Sequence, residues 1–473
     1  MSKILFINPP NEFISPVLPL GLASIAAYLK SKDKNLDIQI LDAWVERISL
    51  KELEDRISQS KADIIGIYVA SPCYDNSKLS IEACRRALPD AIIVAGGPHP
   101  SAAPAETLKD IPQLDICCIG EGEITMYELV HAIKNNSSFS NVDGLAFRSG
   151  IGGKIIFTKP REFIKDLDSL PFPARELFPL EKYKVQPPFG KKNPFFMMIT
   201  SRGCPYQCAF CSKDVFKSSY RARTPKNVCD EIEYLITKYG AQEIQLYDDD
   251  FTMDMKRAEA ICDEILKRNI KIRWFSGTRV DLVNEKLLRK MKKAGCWLIG
   301  YGVESGNQKI LDSINKGIRV EQIISAFKMT RKVGILTSCS FIYGLPGETK
   351  EILKETFDLA KKIKPNFLTI SPLRVYPGSR IFKLIQGGNY LGKLRTLKKS
   401  ENLVSAFFSR GNYTIFEDNL TFEETKKIIQ KSFRKFYFRP QYILQSLTSI
   451  QSFSDFKYYL RGGFEVIKMT FKQ

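Results

Sequence analysis

The chain has 473 residues, enough for two or three domains that each bury a core of their own. Hydrophobic residues make up 44% and charged residues 26% of it, and no uncharged apolar run approaches the roughly 18 residues of a membrane span. This composition predicts an ordinary soluble protein, and the formal charge of +19 leaves an anionic partner open.

The protein is expected to be cytosolic. The short apolar run at the start of the chain lacks the long stretch and the small-residue cleavage site of a signal peptide. In a reducing cytosol the eleven cysteines are not expected to form disulfides. Eight of them are interpreted as small buried hydrophobic residues, and the other three form a motif described below.

Residues 1–140 alternate five short apolar runs with five helical patterns, which predicts an α/β fold with a doubly wound parallel sheet. The predicted strands are Lys3–Pro10, Asp37–Trp44, Ile64–Ser71, Ala91–Pro98 and Ile116–Gly122. Ligands of such sheets bind at the carboxyl ends of the strands. The residues predicted there are Asn8, Pro9, Pro10, Ser71, Gly96, Gly97, His99, Gly120, Glu121 and Gly122.

Residues 141–190 break this rhythm and are predicted to form a hairpin followed by a linker. A turn containing Gly152 separates Leu145–Arg148 from Ile155–Thr158. An extended, proline-rich segment follows, with prolines 160, 171, 173, 179, 187 and 188.

Residues 191–390 resume the alternation and are predicted to form a partial (β/α)6 barrel resembling the TIM type, with its chemistry at the strand carboxyl ends. The predicted strands are Phe195–Thr200, Glu243–Asp248, Lys271–Ser276, Trp297–Val303, Leu336–Tyr343 and Phe367–Val375.

Residues 391–473 are predicted to be basic and mostly helical. The segment from Lys426 to Lys472 contains ten Lys or Arg residues and only two acidic residues, Asp455 and Glu465. We interpret this region as a helical cap on the barrel. The alternative is peripheral contact with an anionic membrane surface, since bulky aromatics alternate with cations in Phe433–Pro440.

Cys204, Cys208 and Cys211 have the spacing CxxxCxxC in the loop after the first predicted barrel strand. Three thiolates can each bind one iron of a [4Fe–4S] cluster, which cysteine normally holds through four ligands. The fourth iron is then open to a substrate. The alternative is a zinc site, which needs a fourth ligand, and both histidines lie in the other predicted domain.

With Phe210 before the last cysteine, this motif resembles the signature of the radical S-adenosylmethionine (radical SAM) enzymes. The resemblance implies that the open iron binds S-adenosylmethionine. An electron donor of the flavodoxin or ferredoxin type would then drive its cleavage to a 5′-deoxyadenosyl radical. Cofactor contacts are implied at the strand ends: Asp248, Asp249 or Asp250 for the methionine amine, Arg279 for its carboxylate, Glu304 for the ribose and Gly344 beside the adenine.

The first domain resembles the Rossmann-like or flavodoxin-like cobalamin-binding domain that precedes the radical SAM core in a large subfamily. The matching segments are Asn8–Pro10, Pro19–Leu22, Ala95–His99 and Gly120–Glu123. Because the chain has no DxHxxG motif, bound cobalamin is expected to lack a lower histidine ligand, with His99 near the ligand edge. The first turn lacks the glycines of a dinucleotide site, which argues against NAD. A purely structural domain is the alternative.

The resemblance implies a cobalamin-dependent enzyme that methylates an unactivated carbon of a small-molecule or lipid-like substrate. Radical cyclisation or ring rearrangement of a hydrophobic substrate is the alternative. A transfer RNA methylthiotransferase and a non-catalytic cobalamin sensor are more remote. Nucleic acid is not an expected partner, because the chain lacks the cysteines of a second cluster. The identity of the substrate and the oligomeric state remain open.

Overall fold

A computed structural model describes residues 3–11, 17–150, 153–184, 190–387, 419–448, 450, 456–457 and 459–464. The predicted turn at Gly152, the linker prolines 187 and 188, and residues 391–418 and 465–473 of the predicted C-terminal region lie outside the described residues.

The N-terminal sheet has seven strands. They are β1 (Lys3–Asn8), β2 (Asp37–Asp42), β3 (Ile64–Tyr68), β4 (Ile92–Gly96), β5 (Ile116–Cys118), β6 (Leu145–Arg148) and β7 (Ile155–Phe157). Their order is β2-β1-β3-β4-β5-β6-β7, and the first five are parallel, as predicted. The predicted hairpin does not stand apart, because β6 pairs antiparallel with β5 and extends the sheet.

Seven helices accompany this sheet. They are α1 (Leu20–Lys32), α2 (Ala43–Glu46), α3 (Leu50–Ser60), α4 (Tyr74–Ala87), α5 (Pro98–Ala102), α6 (Pro104–Asp110) and α7 (Gly122–Lys134). Two apolar clusters cover the two faces of the sheet, one beneath α3 and α4 and the other beneath α1 and α7. Both faces are therefore buried, as a parallel sheet requires.

The second sheet is the predicted six-stranded parallel half-barrel. Its strands are β8 (Phe195–Met198), β11 (Glu243–Leu246), β12 (Arg273–Thr278), β13 (Cys296–Glu304), β14 (Leu336–Tyr343) and β15 (Phe367–Pro372), paired in the order β15-β14-β13-β12-β11-β8. A two-stranded antiparallel ribbon, β9 (Ser201–Arg202) and β10 (Arg221–Ala222), follows β8.

Helices cover the outside of the half-barrel. They are α8 (Pro225–Tyr239), α9 (Met255–Lys267), α10 (Glu285–Lys293), α11 (Gln308–Ser313), α12 (Val320–Lys332), α13 (Lys350–Ile363), α14 (Arg380–Gln386), α15 (Phe422–Tyr437) and α16 (Pro440–Thr448). Local sequence sets the ends of α8: the Thr224 hydroxyl accepts from the Asn227 N–H, Pro225 opens the first turn, and Gly240 ends the helix with φ +66°.

The segment predicted as a linker is packed against both sheets. Ala174 N donates to Ala23 O at 3.0 Å. Arg175 is fully buried, and its guanidinium donates to Met197 O at 2.9 Å and lies 2.7 Å from Glu231. The linker therefore connects α1 to the first strand and first helix of the half-barrel.

None of the helices in the described part of the chain combines the length and the apolar character needed to cross a bilayer.

Candidate functional site

The loop that carries the three cysteines lies at the carboxyl end of β8, between β9 and β10. Asp248, at the end of the neighbouring strand β11, accepts hydrogen bonds from Thr200 N at 2.6 Å and Ser201 Oγ at 2.7 Å. Asp249 accepts from Gly203 N at 3.0 Å. Two of the three predicted acids therefore organise the start of the cysteine loop.

Gly203 is the position in this loop that only glycine can occupy. Its φ is +86°, and a Cβ there would lie 2.1 Å from Ser219 O. The backbone therefore turns sharply one residue before Cys204.

The donor set of the loop fits an iron–sulfur cluster. Cys204 and Cys208 are half-buried and Cys211 is exposed. Burial raises the pKa of the Cys204 thiol, and the nearby charge of Lys213, which donates to Cys204 O at 3.1 Å, acts in the opposite direction and favours a thiolate. Among the described residues no three His, Cys, Asp or Glu side chains converge on a single ion. Thiolates that bind separate irons of one cluster need no such convergence.

Asp250 differs from its two neighbours. Its carboxylate accepts from Thr278 Oγ1 at 2.8 Å and from Arg279 N at 3.2 Å, which ties the end of β11 to the end of β12. Burial raises the pKa of Asp250 to about 6. Among the described residues Asp249 accepts one hydrogen bond, from Gly203 N to its Oδ2, and none to its Oδ1.

Arg279, predicted to bind a carboxylate, has other partners in the structure. Its guanidinium bonds both oxygens of Asp281, at 2.9 and 3.0 Å, and donates to Lys316 O at 2.8 Å. It also stacks on the ring of Tyr206 at 3.6 Å. These contacts leave little of the guanidinium for a cofactor, and they fix the cysteine loop against β12.

Lys316 lies in the site, although nothing in the sequence distinguishes it from a surface lysine. Its ammonium bonds Glu304 Oε1 at 2.7 Å, and both side chains are buried. Burial acts to lower the pKa of the Lys316 ammonium. The charge and hydrogen bond of the Glu304 carboxylate raise it by more, so the pKa lies above its ordinary value. Lys316 Nζ also lies 5.9 Å from the ring centre of Phe210, beside the last cysteine.

Glu304 ends β13 in an uncommon backbone conformation. Its φ is +69°, and the pairing of β13 with β14 shifts register between Gly302 and Glu304. A side chain at Gly302 would meet Glu304 Oε1 at 2.7 Å. The bulge and the left-handed backbone conformation of Glu304 together turn its carboxylate toward Lys316. A residue other than glycine keeps this conformation only where the surrounding structure imposes it.

The turn after β14 is closed by Glu348. Its Oε2 accepts from Gly344 N at 2.7 Å and from Leu345 N at 3.0 Å. The carboxyl group is buried, which raises its pKa to about 8. Gly344, predicted beside the adenine, is therefore held by a carboxyl group four residues later in the chain.

A cavity of about 230 Å³ lies at the carboxyl edge of the N-terminal sheet. Five of the residues predicted there line it: Gly96, Gly97, Gly120, Glu121 and Gly122. A Cβ on Gly120 would approach no atom closer than 3.7 Å, and one on Gly96 none closer than 3.9 Å. These glycines leave room that side chains would fill, and the remaining wall is mainly apolar. The cavity therefore suits a flat organic group.

The other five predicted residues, Asn8, Pro9, Pro10, Ser71 and His99, are not on the wall of this cavity. Asn8 is buried and donates to Asp42 Oδ1 at 3.0 Å. His99 is also buried, with Nδ1 2.9 Å from Ser71 Oγ and its ring 4.3 Å from that of Tyr74. Burial lowers the pKa of His99 to about 3. His99 at the ligand edge therefore stays a prediction, with its ring buried beside this cavity's sheet and not on the cavity wall.

The half-barrel supplies the opposite wall of the cavity through Ile199, Arg202, Val215 and Phe216. Arg202 donates to Glu121 at 2.6 Å and to Glu123 at 2.5 Å. Arg221, on β10, also donates to Glu121 at 2.9 Å. All four charged side chains are largely buried. This group, the interdomain charge cluster, connects the cavity to the ribbon that brackets the cysteines.

The sequence predicted Glu121 as a ligand contact and offered no signal for its pairing with two arginines about 80 and 100 residues later. The sequence did indicate the part of the cavity wall that α1 forms. Leu20, Gly21 and Leu22 line the cavity, and they belong to Pro19–Leu22, one of the segments that resemble the cobalamin-binding domain.

Two family descriptions match the chain. The B12 binding domain matches residues 12–130, and the Radical SAM superfamily matches residues 198–360. Most of the cavity wall lies in the first matched region. The four half-barrel residues of that wall and the three cysteines lie in the second.

Similar proteins cover most of the chain. A protein of Pyrococcus horikoshii named as an uncharacterized methyltransferase is 31% identical over 94% of both chains. The anaerobic magnesium-protoporphyrin IX monomethyl ester cyclase of Rubrivivax gelatinosus is 32% identical over 80% of this chain and 69% of its own. The solved structure of TsrM from Kitasatospora setae, a radical S-adenosylmethionine methyltransferase with cobalamin and a [4Fe–4S] cluster bound, is 18% identical. It covers 99% of both chains with a TM-score of 0.77 and shares the fold.

Proposed function

The chain belongs to the radical SAM enzymes that carry a B12 binding domain, and from this premise we propose that it methylates an unactivated carbon of a small-molecule substrate. Its cofactors are a [4Fe–4S] cluster, S-adenosylmethionine and cobalamin. We also propose the division into domains at residues 1–140, 191–390 and 391–473. The segment 141–190 connects the first two, and its hairpin adds β6 and β7 to the N-terminal sheet.

The interdomain charge cluster supports this proposal most strongly. Arg202 lies on the wall of the glycine-lined cavity, two residues before Cys204, and is fixed there by Glu121 and Glu123. The cavity and the cysteine loop are therefore neighbours. Methyl transfer to a radical carbon requires such proximity, because both groups must act on one substrate atom.

Each cofactor is assigned to residues of this chain. Cys204, Cys208 and Cys211 would hold the cluster, and the cavity with Gly96, Gly97, Gly120, Glu121 and Gly122 would take part of the cobalamin. When bound, these groups supply a radical that removes a hydrogen atom and a methyl group that replaces it.

The acids and Lys316 would position S-adenosylmethionine. Asp249 is the acid with a free carboxylate oxygen among its described contacts, so we assign it to the methionine ammonium. Glu304 keeps its role as the proposed ribose contact, through the oxygen that Lys316 does not occupy. Arg279 acts as a positioning residue, because Asp281 and Tyr206 hold its guanidinium.

An electron donor of the flavodoxin or ferredoxin type would complete the system. The cleavage consumes one electron, and the other eight cysteines are spread through strands and helices, seven of them buried. We therefore propose that the electron comes from a separate protein.

The test is label transfer from S-adenosylmethionine. Protein loaded anaerobically with iron, sulfide and cobalamin is incubated with methyl-labelled S-adenosylmethionine and a small-molecule extract of its source cells, and mass spectrometry seeks a labelled product. Cys208→Ala is expected to abolish the label and the cluster absorbance. Cys262→Ala, at a buried cysteine of α9, is the matched control and is expected to keep both. A label that persists in Cys208→Ala contradicts the proposal. A non-catalytic cobalamin sensor predicts no labelled product from the parent chain, and an activity in cells that Cys208→Ala leaves unchanged.

Radical cyclisation is the second candidate, favoured by the 32% identity to a cyclase. It predicts 5′-deoxyadenosine and a product that has lost hydrogen without gaining the methyl label. Release of 5′-deoxyadenosine without any methylated product in the same assay would replace methylation by cyclisation.

A further inference from the structure

Helix α15 covers the open edge of the half-barrel with one of its faces. The Tyr437 hydroxyl accepts from Leu368 N at 2.8 Å and donates to Leu368 O at 2.9 Å, on edge strand β15. Phe436 is fully buried in the barrel core. The Tyr442 hydroxyl, on α16, donates to Asn366 O at 2.8 Å. These contacts fix the orientation of α15 and the start of α16.

The opposite face of α15 carries cations. Both glutamates of α15, Glu423 and Glu424, lie in its first turn, and the five cations follow them. Spacings of three, four and seven residues place three lysines and an arginine on one side: Lys427, Lys431, Arg434 and Lys435. They line an open groove of about 720 Å³ together with Gln430, Phe438 and Arg439. We call this set of residues the basic groove.

Exposed apolar side chains occur in the basic groove and in the described chain that follows it. Phe438, which lines it, is 49% exposed. On α16, Ile443 is 47% and Leu444 64% exposed. Further along the chain Phe456, Leu460 and Phe464 are also exposed. Large exposed apolar patches that are rimmed by polar residues mark sites of interaction with proteins or membranes.

We propose that the basic groove and these apolar side chains form a docking surface for an anionic lipid membrane. Cations beside a row of apolar residues suit the boundary between headgroups and acyl chains, where the cations meet lipid phosphates and the apolar residues enter the membrane. Nucleic acid fits less well, because three of the six exposed apolar side chains, those of Ile443, Leu444 and Leu460, are aliphatic and offer no ring on which a base can stack. This surface lies outside the cofactor sites, so the inference does not depend on the proposed reaction.

The test is flotation of the cofactor-loaded full chain with vesicles of phosphatidylcholine, with and without phosphatidylglycerol. We expect binding to the anionic vesicles, and weakening as salt screens the charges. The triple variant Lys427→Glu/Lys431→Glu/Lys435→Glu is expected to lower the partition coefficient at least about tenfold. Ile443→Ser/Leu444→Ser is also expected to lower the partition coefficient, but the remaining vesicle binding should still weaken as the salt concentration rises.

A matched variant controls for net charge. Lys34→Glu/Lys51→Glu/Lys328→Glu reverses three exposed lysines elsewhere and is expected to bind vesicles like the parent chain. Circular dichroism checks that each variant is folded. Absence of binding to anionic vesicles at low salt, equal loss in both triple variants, or tight binding of single-stranded RNA in place of vesicles would each overturn the proposal.

Discussion

At the scale of single residues, the pair formed by Glu304 and Lys316 places two opposite charges inside the half-barrel, where each depends on the other. Glu304→Gln leaves the Lys316 ammonium buried without a counter-charge. We expect it to lower the free energy of unfolding by about 3 kcal/mol, as measured by urea denaturation.

The double variant Glu304→Gln/Lys316→Met separates charge from packing. Removing both charges is expected to restore part of the lost stability, so the double variant will be more stable than Glu304→Gln alone. Lys286→Met breaks an ion pair with Glu259 whose lysine is 76% exposed, and is expected to change little. Additive effects of the two buried substitutions would contradict the pairing.

Glu348 makes the stability depend on pH. Burial raises the pKa of its carboxyl group from the ordinary 4.5 to about 8, so the folded chain keeps a proton that the unfolded chain releases. The stabilisation is fully present below about pH 4.5 and is lost as the pH rises through about 8. Glu348→Gln keeps an acceptor for Gly344 N and Leu345 N, and is expected to reduce the fall in Tm between about pH 5 and about pH 8.

Glu351→Gln is the control for this pH effect, because Glu351 is exposed in the first turn of the next helix, α13. It is expected to leave the slope of Tm against pH unchanged. Identical slopes for the parent chain and Glu348→Gln would show that the carboxyl group is ionised in the folded protein.

The sequence predicted site residues where several of them lie close together in one short segment of the chain. The three cysteines and the three acids after β11 each lie in one short segment, and the structure brings both segments to one end of the half-barrel. Lys316 could not be predicted in this way, because helix α11 separates it in the chain from its partner Glu304. His99 at the ligand edge stays a prediction, and nothing in the sequence indicated that its ring is buried beside that of Tyr74.

At the scale of elements, Tyr437 protects the edge of the half-barrel. Its hydroxyl satisfies both backbone groups of Leu368, which would otherwise be open to pairing with another chain. Tyr437→Phe leaves these groups without partners, and we expect a loss of about 2 kcal/mol in the free energy of unfolding, with increased aggregation on heating.

Tyr234→Phe is the matched control for this substitution. It removes a hydroxyl that bonds the exposed Lys238 ammonium on α8, and is expected to change stability by less than about 0.5 kcal/mol. Equal losses in the two variants would contradict a special role for the edge contact.

Most elements were predictable from the alternation of apolar runs and helical periods. The predicted strands Leu145–Arg148 and Leu336–Tyr343 agree with β6 and β14 in both bounds. The pairing of β6 with β5 was not predicted, because a hairpin shows its own turn in the sequence but not the strand it joins. The linker was expected to be extended, and its burial of Arg175 against Glu231 depends on contacts between distant segments.

At the scale of the whole molecule, the interdomain charge cluster holds the two sheets in one arrangement. Glu121→Gln/Glu123→Gln leaves the guanidinium groups of Arg202 and Arg221 buried without counter-charges. We expect a stability loss of about 3 kcal/mol or more, and a calorimetric trace in which the two sheets melt separately.

Glu128→Gln is the control on the same helix. Glu128 is 41% exposed and pairs with Arg161 away from the half-barrel. It is expected to leave the melting profile unchanged. A single transition at the parent temperature in the double variant would mean that other contacts hold the two sheets together.

Arg202 also has a consequence for vitamin supply. Arg202 lies on the wall of the cavity proposed for cobalamin and in the ribbon before the cysteines, so filling the cavity is expected to stabilise the cysteine loop. By thermodynamic reciprocity, a cluster bound to that loop would stabilise the filled cavity by the same free energy. Cells starved of vitamin B12 are therefore expected to accumulate protein with less iron, even when iron is plentiful.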